Sequence, residues 1–68
     1  MTLDEIKQTA FVKWLKSVPR IMAAEHIFEC LSMGPDMDNL GWALMHAVHG
    51  EKFSVNADTI FKAVDAIR

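Results

Sequence analysis

Apolar residues recur every three or four positions along almost the whole chain, and the rhythm is punctuated at three points: Val18-Pro19, Gly34-Pro35 and Gly50. Recurrence at that spacing is the signature of an amphipathic helix, because residues three and four apart share one face. The punctuation then divides the chain into helices. Thr2 and Glu5 have the spacing of a capping box, in which hydroxyl and carboxylate each take a free backbone amide. A first helix is expected over about residues 3–17, with Leu3, Ile6, Ala10, Trp14 and Phe11, Leu15, Val18 as one broad apolar face. Pro19 ends it, since the residue before a proline is pushed out of the helical region, and also suits the first turn of the next helix.

That second helix is expected over about 19–33, with Ile21, Ala24, Phe28 and Leu31 as its main core stripe, Ala23, Ile27 and Cys30 widening it, and Glu25 and Glu29 on the wet side. Gly34 supplies a left-handed cap and Pro35 prevents continuation. A third helix, capped by Asp36 or Asp38, covers about 37–49 with Leu40, Leu44, Ala47 and Val48 inward. After Gly50, a connector tucks Phe53 against the core. Ser54 or Asn56 then caps a last helix over about 56–67, where Ala57, Ile60, Phe61, Val64 and Ile67 form the cleanest amphipathic stripe in the chain. The expectation is an all-α protein, a compact array of four short helices forming one domain over residues 1–68.

Size sharpens the problem. Below roughly 70–80 residues a single core supplies only about 3–5 kcal/mol, so small folds lean on disulfides, a metal, very regular packing or a partner. With one cysteine, Cys30, there is no internal disulfide. Yet 51% of the 68 residues are hydrophobic, more than four short helices need for a core, and the surplus reads as an interface.

Helix three is the expected place for it, being apolar nearly all round. Asp38, Trp42, His46 and His49, with Met45 beside them, form a lateral strip away from Leu40, Leu44 and Ala47. Trp is enriched at binding hot spots, and Met22, Met33, Met37 and Met45 offer an adaptable apolar surface around it. The competing reading folds Trp42 over the edge of the core. The function expected is therefore a small non-enzymatic protein–protein interaction module, a regulator, adaptor or inhibitor that masks or bridges a partner, and itself a homodimer.

Other chemistries have thinner support. His26 with Cys30, and His46 with His49, place ligand types a turn apart on helices two and three, the outline of a zinc-stabilised domain. Cys30 leans to the apolar stripe while His46 and His49 lean to the polar side, so no metal or other cofactor is expected. Lys13, Lys16 and Arg20 make a basic stripe, and helices two and three have the outline of a helix-turn-helix, which makes a DNA-binding regulator the alternative. Against it, no Lys or Arg lies between Met37 and His49, and seven basic against nine acidic residues leave a net charge of −2. Cys30 with a histidine is the one nucleophile–base pairing available, the carboxylates are scattered over caps and exposed faces, and no glycine-rich phosphate loop exists, so an enzyme is not expected. Asp4 and Glu5 stand where a secretory leader is basic, and no apolar run approaches membrane-spanning length. A cytoplasmic protein without membrane contact is the expectation.

Overall fold

A computed structural model describes residues 1–36 and 38–68. Met37, expected to open the third helix and to add to the apolar surface, lies outside the described residues. Five α-helices follow one another: α1 (Leu3–Lys7), α2 (Ala10–Ser17), α3 (Arg20–Ser32), α4 (Leu40–His49) and α5 (Ala57–Ile67). The all-α array is as the periodicity implies, except that the single helix expected over 3–17 is two.

The break falls at Gln8-Thr9, and geometry explains it. Ile6 and Leu15 are both fully buried. On one straight helix, nine residues at about 100° each would set them on opposite sides. Breaking the helix turns both into the same core. Thr9 serves both halves: its hydroxyl donates to the Ile6 carbonyl at 2.6 Å, and its oxygen accepts the Val12 amide at 3.3 Å as the N-cap of α2.

The remaining boundaries lie near their signals. Thr2 and Glu5 form the capping box, with the Thr2 amide donating to Glu5 Oε1 at 3.1 Å; that backbone hydrogen bond holds the Glu5 carboxyl below its ordinary range. Asn56 caps α5 reciprocally with Thr59. The α4 cap is neither Asp36 nor Asp38 but Asn39, whose Oδ1 accepts the Gly41 amide at 3.0 Å while its Nδ2 donates to the Cys30 carbonyl at 2.5 Å. Asp36 instead accepts the Asp38 backbone amide at 3.0 Å within the preceding turn. Gly34 and Gly50 have φ of +106° and +86°, where a Cβ would be strained.

The core is built by all five helices: Ile6, Val12, Leu15, Ala23, Ala24, Ile27, Leu31, Leu44, Met45, Ile60, Ala63, Val64 and Ile67. α3 and α4 approach closely at Gly41, where an added Cβ would stand 2.6 Å from the Cys30 Cβ. The accessible surface is 4313 Å², close to the about 4,300 Å² that a folded monomer of 68 residues exposes.

Candidate interaction surface

The strip expected on the third helix lies on the outer side of α4 and in the turn before it, and the structure brings part of it together. Met45 is fully buried and belongs to the core, so it offers nothing to a partner. Trp42 is half-buried; its indole N–H donates to the Leu31 carbonyl at 3.2 Å, tying α4 to the end of α3. Phe53, from the connector, folds back as a hub. Its ring lies 5.7 Å from Trp42, 5.0 Å from His46 in an edge-on arrangement and 5.9 Å from His49. His49 Nε2 lies 2.8 Å from the Thr59 carbonyl, and His46 Nδ1 lies 3.2 Å from the Gly50 carbonyl. So Trp42, His46 and His49 do meet, but around a side chain of their own chain. Asp38 stays in the exposed turn before α4. A hollow of about 110 Å³ lies beside Trp42 and His46.

The possible metal set is likewise dispersed. His26 stacks against Phe11 at 5.7 Å and Trp14 at 4.8 Å, whereas His46 packs on Phe53. No group of three or more His, Cys, Asp or Glu side chains converges among the described residues. Burial, and then the neighbouring Glu29 charge, raise the Cys30 thiol above its ordinary value, which disfavours the nucleophilic thiolate. In the basic stripe, Lys13 and Lys16 are exposed, but Arg20 is committed. Its Nε and Nη2 donate to the two Asp65 oxygens at 2.8 and 2.9 Å, and its guanidinium lies 4.4 Å from the Phe61 ring centre. The paired hydrogen bonds raise Arg20 and lower Asp65 from their ordinary values.

The surplus of apolar surface lies on α3. Ile21 and Phe28, expected in the core stripe, are 61% and 55% exposed; Met22 and Met33 are exposed on the far side of Glu25 and Glu29, and Trp14 of α2 is exposed at 43%. The rest of the expected stripe is inward: Ala23, Ala24, Ile27 and Leu31 are buried. The sequence signal was present: eight of the thirteen α3 residues are apolar, more than one core face can cover.

Between α3 and α5 this surface deepens into an open groove of about 460 Å³. Ala24 and Ile60, both buried, form its floor, and Ile21, Phe28 and Phe61 its walls. Glu25 and Glu29 line the same groove, and neither forms an ion pair among the described residues. No helix among those residues is long and apolar enough to cross a membrane. Comparison with family models, curated proteins and solved structures finds no match, so the functional reading rests on this geometry.

Proposed function

We propose that the protein is a small non-enzymatic interaction module that works by occupancy, masking or bridging the surface of another protein. The observation that carries this is the apolar groove between α3 and α5, walled by Ile21, Phe28 and Phe61, with Ile21 and Phe28 more than half exposed. Contiguous exposed apolar surface on a small soluble fold marks a contact site more often than chance packing, and aromatic side chains supply its anchors. The contact surface is therefore centred on α3 rather than on Trp42 and α4. A second copy of the chain is the competing occupant of that face.

The test compares the wild-type chain with an Ile21→Ser/Phe28→Ser variant as baits in lysate of the native cell, with circular dichroism and sedimentation run on both. One stoichiometric partner held by the wild type and released by the still-helical variant is the expected result. Equal retention by both, or nothing retained by either at micromolar bait, overturns the reading.

A further inference from the structure

We propose that the groove between α3 and α5 receives a short amphipathic helix of a partner protein, with one bulky apolar side chain seated between Ile21, Phe28 and Phe61 and with Lys or Arg residues lying over Glu25 and Glu29. This deepens the interaction reading and rests on it.

Shape limits the occupant first. From Ile21 to Glu29 the α3 wall runs eight residues, about 12 Å or a little over two helical turns. A groove of about 460 Å³ with an apolar floor has room for one large side chain and the stems beside it. Laying the apolar stripe of a helix into such a channel is a general mode of peptide recognition. Adding a strand is the other common mode, and it needs a sheet edge; among the described residues there is no strand.

Charge then selects among helices. Glu25 and Glu29 stand one turn apart on the same helix, a like-charge pair that weakens α3 unless a cation comes between them. The other charges near the groove are already matched inside the chain: Arg20 with Asp65 at one end, and Lys62 with Asp58 at 3.2 Å on α5. Two carboxylates remain without a counter-ion at the rim. A basic helix completes them. A second copy packed through α3 brings the same two carboxylates, and the one Lys or Arg of α3, Arg20, is already paired with Asp65.

The test uses the ¹⁵N-labelled full chain and two synthetic helical peptides of ~16 residues, long enough to hold a helix once docked. Both carry leucines at i, i+3, i+4 and i+7; one is flanked by lysines and the other by glutamates. Amide shifts confined to Ile21–Glu29 and Ala57–Phe61 are expected with the lysine peptide, with binding at least about tenfold tighter than for the glutamate peptide at low salt. The Glu25→Lys/Glu29→Lys variant, whose helicity is checked first, should reverse that preference. Equal affinity for both peptides, shifts centred on Trp42 and Phe53, no shift at millimolar peptide, or a free chain that sediments as a dimer and becomes monomeric with Phe28→Ser would each overturn the proposal. If the peptides fail while the native partner is still lost from the Ile21→Ser/Phe28→Ser bait, the helical occupant is removed and the interaction module stands. If both experiments fail, both readings go.

Discussion

α3 and α4 carry the same kind of sequence and meet opposite fates. Each carries more apolar residues than one core face needs, and α4, polar only at His46 and His49, is the more hydrophobic. α4 is nonetheless the better covered: α1, α3 and α5 pack on it, and Phe53 folds over the aromatic edge that remains. α3 is packed by α2, α4 and α5 on its inner side, and its outer side keeps Ile21, Phe28, Met22 and Met33 in water. Hydrophobicity of a helix therefore states how much covering it needs, while the connectors decide which helix goes without. The short segment after Gly50 returns across α4; no equivalent segment returns across the outer face of α3.

The strongest way to break this comparison is to truncate one large side chain on each helix. Leu44 of α4 is fully buried, so Leu44→Ala should cost about 2–5 kcal/mol through lost burial and a residual cavity, enough to leave so small a fold largely unfolded. Phe28→Ala on α3 should fall within about 0.5 kcal/mol of wild type, because its ring is mostly in water. Urea denaturation followed by circular dichroism measures both. Comparable losses would mean that the α3 face is covered in solution.

A smaller effect separates the two helices where they touch. Gly→Ala inside an exposed helix ordinarily stabilises by up to about 1 kcal/mol. At Gly41 the sign should reverse, to a loss of about 1–3 kcal/mol, because the new Cβ meets the Cys30 Cβ at 2.6 Å and Asn39 Oδ1 at 3.1 Å. Cys30→Ser should not rescue Gly41→Ala, since the clash is with a Cβ that serine retains. A neutral or stabilising Gly41→Ala would show that α3 and α4 lie further apart.

Those contacts also explain what the sequence could and could not reveal. Punctuation was legible: the Thr2–Glu5 box, Pro19, Gly34-Pro35, Gly50 and Asn56 each act locally, through a cap or a forbidden dihedral. The Thr9 break was not, because it answers a demand of the whole core, namely that Ile6 and Leu15 point the same way. One edge of the α3 stripe was misread for a related reason. Periodicity groups Ile21 and Phe28 with Ala24 and Leu31, but α2, α4 and α5 cover Ala23, Ala24, Ile27 and Leu31 and leave Ile21 and Phe28 outside. The same limit applies to the strip on α4: the sequence tucks Phe53 inward but does not say that it meets Trp42, His46 and His49, and Met45, read as lateral, is buried.

The smallest expected effect concerns the tether between α3 and α5. Arg20 and Asp65 join the start of α3 to the end of α5 at the margin of the groove, and the same guanidinium lies over Phe61. Hydrogen bonds from Arg20, and then the charges of Arg20 and Arg68, hold the Asp65 carboxyl below its ordinary range. A carboxyl depressed in the folded state stabilises above its unfolded value and loses that contribution as the pH falls through its folded value. Wild type should therefore exceed Asp65→Asn slightly in urea midpoint at neutral pH and converge with it as the solution is acidified below the carboxylate range. Both side chains are about half exposed, so the gap should be small and should shrink further in high salt. A gap that persists in acid would assign the effect to packing around Phe61 rather than to the charge pair. The groove wall would then be held by contact alone, and its opening would be insensitive to pH.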